Sequence, residues 1–485
     1  MKKNNIKVNT IYSIIKSVSA ILFPLISFPY ASRTLLPEGI GKVNFANSIV
    51  NYFSLLASLG LNTYAIRECS RVRDCPKDLS KVASELFSIN MVTTGLSYVL
   101  LGVTLLFARP LDSYRMLIVV QSTTIMFHTL GMEWINSVME DFRFITLRTV
   151  SFQMLALVLM FLLVKTPEDY LKYAMIMVVS QSGANIVNML YRRKYCHVTI
   201  TRNMQFRRHI SPILLLFAMQ ISQVIFTNAD TTMLGLLHSD TEVGIYSTAV
   251  KVYNIVSQVV SSILWVVMPR LSLYYAKKDY SLINPLLRKT LGFCLALGLP
   301  CITGLNMLSK EIVEIIGGVE YLDAAPVLQI LTFSLLFSLI GGNFIGNIIM
   351  LPSLREKYFL VACIIAAVAN VVLNALLIPT LSVHGAAIAT VVSSLIILIV
   401  LLPRVEKEIQ LGVLGKLVGP PVIGCVFIIV SCMIIKHIIY GLWIRFIIAV
   451  GTSVVGYGLI LVMCRFELID PIIAILKKKL IKGDR

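Results

Sequence analysis

The chain has 485 residues, 57% of them hydrophobic and 14% charged, against roughly 25% charge in ordinary soluble domains; with a mean hydropathy of +0.83, a water-soluble fold has nowhere to bury its apolar surface. Its 43 Lys and Arg against 25 Asp and Glu leave a formal charge of +18, which the basic cytoplasmic loops of a polytopic membrane protein supply without any nucleic acid partner. Length therefore counts membrane spans rather than soluble domains.

A hydrocarbon core about 30 Å thick takes roughly 20 apolar residues at 1.5 Å each. About fourteen such runs follow one another, near 10–31, 41–62, 84–107, 115–137, 145–164, 171–191, 211–236, 244–269, 287–308, 327–350, 358–378, 384–403, 414–436 and 442–464. The opening MKKNNIKVNTIYSIIKSVSAILFPLISF has the basic head and apolar body of a signal peptide. Lys16 interrupts it and another span follows directly, so it reads as an uncleaved first helix. KEIVEIIGG at 310–318 is too short to cross and belongs at the surface. The expected fold is an all-α polytopic membrane protein.

An even number of spans puts both termini on one side. With the N-terminus in the cytoplasm, the inner segments hold 32 of the 43 Lys and Arg and the outer ends and loops 8, as the positive-inside rule requires. No loop exceeds about 25 residues, and the longest outer one, about 309–326, has no room for a soluble catalytic domain. The nine cysteines form no spaced framework, so neither a disulfide scaffold nor a zinc knuckle is expected. GxxxxGKS/T, HExxH, GxSxG and Cys/His metal spacings are absent, so no cofactor, metal or direct use of ATP is expected.

Aligning Gly41 with Gly244 brings Ala46 onto Ala249, Asn51 onto Asn254, Ser54 onto Ser257 and Ser58 onto Ser261. The shift equals six spans, which preserves topology, so the halves read as parallel repeats about an axis along the membrane normal. The expected organisation is an N-lobe over 1–208, a C-lobe over 209–405, and two further spans with a basic cytoplasmic tail over 406–485.

Cations at membrane depth are costly and face a water-filled cavity or a partner. Lys16 lies early in the first span, Lys42 at the outer start of the second and Lys251 well inside the eighth. Lining a cleft, they would attract an anion, and phosphate is the anion that Lys and Arg neutralise without a metal. Snorkelling to an interface is the plainer reading, above all for Lys42. Asp230, in QVIFTNADTTMLG, suits a proton or sodium site, a lysine counter-ion or an interfacial carboxylate. Glu133 closes the fourth span beside Trp134, where an interface anchor competes with an ion-coupling or counter-ion role. His128, one turn earlier, reads as a hydrogen-bonded core residue. Gln220 and Gln223 in the seventh span and Asn254 in the eighth either bond between helices or line a cavity for sugar hydroxyls.

Together, LPEGIGKVNFANSIVNYF (36–53), LGMEWINSVMEDFRFITLRT (130–149), KTPEDYLKYA (165–174), NADTTMLGLLHSDTEVGIYSTAVKV (228–252), PSLREKY (352–358) and LNALLIPTLSVHGAAIAT (373–390) resemble the Wzx-type polysaccharide lipid flippases, a branch of the superfamily that also holds multidrug exporters and lipid II flippases. The resemblance spans about residues 5–400. It implies a two-lobed bundle in the bacterial plasma membrane that moves undecaprenyl-pyrophosphate-linked oligosaccharide outward by alternating access, through a cationic cavity between lobes. It also implies a polysaccharide polymerase and a chain-length regulator as partners. In the related lipid II flippases basic residues on the first, second and eighth helices matter; Lys16, Lys42 and Lys251 sit on the corresponding spans, as Lys where those relatives mainly use Arg. The rival readings are a proton- or sodium-coupled multidrug or metabolite exporter, and a membrane-embedded glycan-modifying enzyme.

Overall fold

The computed structural model describes residues 6–202, 204–405, 411–464 and 466; the basic tail expected beyond 466 lies outside them. Among the described residues all regular structure is helical. The helices pack into two units, Met1–Gly244 and Ile245–Arg485. The first contains α1 (Ile6–Ser58), α2 (Leu61–Arg71), α3 (Pro76–Phe107), α4 (Arg115–Gly131), α5 (Glu133–Val138), α6 (Phe142–Leu163), α7 (Tyr170–Tyr191) and α8 (Phe206–Leu237), and the opening turn of α9 (Asp240–Lys277). The second contains the rest of α9, then α10 (Tyr280–Met307), α11 (Ser309–Gly317), α12 (Ala324–Ser338), a π-helical stretch Leu339–Met350, α13 (Glu356–Leu401), α14 (Leu411–Ile438) and α15 (Leu442–Met463).

Each of the fourteen expected runs falls on helix. By length and apolarity, nine of the described helices can cross a membrane, or ten with the bent α9. Two of the nine, α1 and α13, each hold two expected runs, and α4 and α7 fall short of that test. The double runs are separated by single non-helical residues, Leu36 (φ 60°, ψ 174°) and Ser382 (φ 47°, ψ −127°). At the first, Pro37 excludes helical geometry from the residue before it and has no N–H to continue the ladder. Outward-facing apolar side chains such as Leu106 and Phe107, 75% and 80% exposed, are what lipid contact demands and water would penalise.

In the first unit, the start of the second α1 helix meets the start of α9. A Cβ on Gly41 would collide with the carbonyl of Asp240, and one on Gly244 with the carbonyl of Pro37. The two contacts interconvert under the same 203-residue shift that aligns Gly41 with Gly244, so the crossing is reciprocal, as a two-fold contact must be. Nearby, the Tyr114 hydroxyl donates to Asp240 at 2.6 Å, and Phe45 packs where Gly235 leaves space.

The segment after α7 is held extended along α3. The N–H groups of His197, Thr199 and Thr201 donate to the hydroxyls of Ser80, Ser84 and Ser88 at 3.1, 3.1 and 2.9 Å. Two extended residues advance about 6.6 Å and four helical ones about 6 Å, so every second amide meets a serine one turn further on. In the second unit, the expected surface segment is α11. Its Glu311 is 2% exposed and is bracketed by Lys436 of α14 at 3.1 Å and Arg445 of α15 at 3.2 Å.

Overpacking against backbone cannot be relieved by side-chain motion. Gly41→Leu or Gly244→Leu should therefore lower the thermal midpoint in detergent, with a destabilisation of about 1–3 kcal/mol, whereas Gly95→Ala on α3, where a Cβ meets nothing within 4 Å, should leave it unchanged or raise it. Glu311→Gln strands two cations against one neutral amide. Its expected effect is a fall in the same midpoint.

Candidate functional site

The sharpest polar constellation surrounds Glu133. α4 ends at Gly131, and Met132 takes a left-handed conformation (φ 47°, ψ 49°), so the chain restarts as α5 with Glu133 in its first turn, where the helix dipole favours a carboxylate. The interruption deprives carbonyls of helical partners, and side chains replace them. Arg192 donates to the Leu130 carbonyl at 3.1 Å, and Asn188 donates to that of Gly131 while accepting from Asn136. A Cβ on Gly131 would run into Asn185, whose amide meets His128 at 3.3 Å.

Two cations share Glu133. Lys16 Nζ of α1 reaches Oε1 at 2.9 Å and Arg148 Nη2 of α6 reaches Oε2 at 3.1 Å. Their environments differ: the Arg148 side chain is 3% exposed, those of Lys16 and Glu133 40% and 37%. Arg148 also donates to the Ala184 carbonyl of α7 at 3.1 Å and lies over the Phe144 ring. The trio carries one net positive charge. Trp134, next to Glu133, is buried in a core with α2 and α3, because the break at Met132 turns it inward.

The start of α6 is set by Asp141. It accepts from the hydroxyls of Tyr191 at 2.8 Å and Tyr195 at 2.5 Å and from the Phe144 N–H at 3.3 Å. Burial works against its charge, but the Tyr195 and Tyr191 hydroxyls prevail and hold the carboxyl below the usual carboxylate range.

The other expected residues are distributed as follows. Lys42 pairs with Glu38 one turn away at 2.6 Å and lies over the Tyr170 ring. In the first unit, α8 carries Gln220, half-buried, Gln223, exposed, and Asp230, buried; on the same helix Thr232 donates to Ser48 at 2.9 Å and Asn228 accepts from Asn51 of α1 at 2.9 Å. In the second unit, Lys251 is half-buried and Asn254 exposed. Their i, i+3 spacing puts them on one face of α9, turned away from its buried Ala249 and Val252. Lys16 and Glu133 are thus brought together by direct contact.

Two features escaped the sequence reading. Arg148 counted as one of the inner charges, though it lies six residues past the start of α6. A fully buried His209 links the Tyr64 hydroxyl at 2.8 Å to Glu85 at 3.2 Å, behind a pocket of about 310 Å³ lined by Ser80, Lys81, Ser84, Glu85, His197, Thr199 and Thr201. The signal for Arg148 was an ionisable residue just within an apolar run; His209 lies two residues before one.

These features define a multi-pass helical membrane protein with the architecture of lipid and drug transporters. The fold matches that of the lipid II flippase MurJ in an inward closed conformation, with a TM-score of 0.73 at 15% identity over 94% of this chain and 99% of that one. It also matches an inward-facing MATE family multidrug resistance transporter, with a TM-score of 0.57 at 14% identity over 80% and 94%. A family model described as "Polysaccharide biosynthesis protein" matches residues 6–274, more than half of the chain, which therefore belongs to that family. Relatives include two proteins named "Putative O-antigen transporter". The one from Escherichia coli (strain K12) is 22% identical over 56% of this chain and 66% of its own length; the match thus spans just under two thirds of that relative. The one from Shigella dysenteriae is 21% identical over 79% and 96%.

A carboxyl with a depressed pKa stabilises the fold above its ordinary titration range and loses that contribution as pH falls through the folded-state value. Asp141→Asn should therefore flatten the acid limb of a stability profile below about pH 4, while wild type keeps losing stability there; thermal unfolding in detergent across acid pH reads the difference.

Proposed function

We propose that the protein is a flippase that carries undecaprenyl-pyrophosphate-linked oligosaccharide repeat units across the bacterial plasma membrane by alternating access, for surface polysaccharide biosynthesis. The carrying observation is a chain of the polysaccharide biosynthesis family, with the fold of a lipid II flippase, that presents a half-exposed lysine, Lys16, near a buried arginine, both paired with Glu133. The names of the O-antigen transporter relatives support the same substrate class.

In this reading the pyrophosphate pairs with Lys16, Lys251 and secondarily Lys42, while Gln220, Gln223 and Asn254 meet the sugars and the polyprenyl tail stays in lipid. Asp230 and Glu133 serve as coupling or counter-ion carboxylates. The lobes 1–208 and 209–405 act as parallel repeats, with 406–485 as two appended spans and a tail, and both termini face the cytoplasm. The reciprocal contact of Gly41 and Gly244 supports the duplication. A polymerase and a chain-length regulator act downstream.

The test is to deplete the protein and ask on which membrane face lipid-linked glycan collects. Accumulation on the cytoplasmic face with loss of surface glycan is expected, and Lys16→Ala or Lys251→Ala at normal protein level should reproduce it. Unchanged surface glycan with altered sensitivity to cationic compounds would favour the exporter reading, to which the MATE-like fold also answers.

A further inference from the structure

A second polar constellation of the first unit stands apart from Glu133. Between the opening turns of α3 and the extended segment 197–201 lies the pocket of about 310 Å³. That is the small end of the roughly 300–1,000 Å³ usual for small-molecule sites, so it suits a head group and not an oligosaccharide. Its serines have no proton to offer. The Ser80 and Ser84 hydroxyls donate to the carbonyls of Pro76 and Ser80, each at 2.7 Å, while accepting from the extended segment, and a hydroxyl carries a single donor. The ionisable groups of the lining are Glu85, 2% exposed, and Lys81 and His197, both exposed.

Glu85 is a buried carboxylate with room for more partners. Among the described residues its side chain has one polar contact, His209 Nε2, at 3.2 Å from Oε2. Tyr64 donating to His209 Nδ1 at 2.8 Å, and Nε2–H donating to Glu85, satisfy a neutral imidazole on both sides. A carboxylate can accept at about four positions, and a buried one calls for a cation. Lys81, one turn earlier on the same face of α3, makes no ion pair among the described residues; lysine ahead of glutamate is the weaker order for such a pair.

We propose that this pocket binds an aminoalkyl phosphate, with the ammonium donating to Glu85 and the phosphate held at the mouth by Lys81 and His197. Side chains one helical turn apart stand about 5–6 Å from each other at Cβ, a span that the two charges of an aminoethyl phosphate match. The place in the chain fits a lipid head group, because α3 passes here from Lys77, Asp78 and Lys81 to the apolar run that begins at 84, the boundary at which head groups lie. A free aminoalkyl phosphate offers the same chemistry. Tyr64 belongs to α2, Glu85 to α3 and His209 to α8, so the ligand braces a junction of three helices. The inference is independent of the flippase reading, since no residue assigned to that substrate lines the pocket.

The experiment measures binding to the purified full-length protein in detergent micelles. The probes are dihexanoyl phosphatidylethanolamine, phosphatidylcholine and phosphatidylglycerol at equal mole fractions and, separately, O-phosphoethanolamine. Wild type should prefer phosphatidylethanolamine by about tenfold, the scale of one charge-assisted hydrogen bond. Phosphatidylcholine has no ammonium N–H to donate, and phosphatidylglycerol has no cation. The preferred lipid should also raise the thermal midpoint. Glu85→Gln, which keeps an oxygen for His209, should abolish the preference. Lys81→Gln should weaken phosphatidylethanolamine several-fold; its exposed position makes it the test that remains if Glu85→Gln does not fold. Displacement of the lipid by O-phosphoethanolamine assigns a soluble ligand and binding of the lipid alone assigns a head group, and either upholds the site. Equal binding of the three lipids by wild type overturns it. So does a preference that survives Glu85→Gln, or a phosphatidylethanolamine affinity unmoved by Lys81→Gln.

Discussion

A charge withdrawn from water needs a counter-ion, and two carboxylates of this protein, one half-buried and one buried, meet that need alike. Glu133 is met by Lys16 and Arg148, Glu311 by Lys436 and Arg445. In both cases a lysine and an arginine arrive from different helices, so one carboxylate ties three elements together: α1, α5 and α6 in the first unit, and α11, α14 and α15 in the second. Lipid tails are as apolar as leucine and offer helices no hydrophobic reason to associate. A few ionic joints therefore carry positional information that a soluble fold would spread over its core.

Side chains also complete the backbone where helices stop. Where α4 stops, Arg192 and Asn188 take over the freed carbonyls; where the chain after α7 runs extended, three serines of α3 receive its amides. The break at Met132 also sets Glu133 beside Lys16 and Arg148 and turns Trp134 into the core, so one left-handed residue determines both orientations.

Much of the architecture was legible in the linear chain. The apolar runs and the short KEIVEIIGG segment are properties of contiguous residues, and each apolar run corresponds to helix in the structure. Lys16 and Glu133 were legible as candidates because an ionisable group in or beside an apolar run is costly wherever it lies. Arg148 was not, because six residues into a helix is compatible with a solvated end. Only the packing of α5, α6 and α7 makes it 3% exposed. The aligned glycines Gly41 and Gly244 were visible as an identity, but their reciprocal approach to Asp240 and Pro37 is a fact of three dimensions.

The sequence by itself determined that the chain lives in a membrane, roughly where its spans fall and which residues carry charge into them, since hydropathy and charge accumulate locally along the chain. The tertiary structure decided which charges meet. Lys16 and Glu133 are 117 residues apart, and their pairing, like the unequal burial of the two cations that share the carboxylate, depends on how separate helices pack, which no local property of the chain encodes.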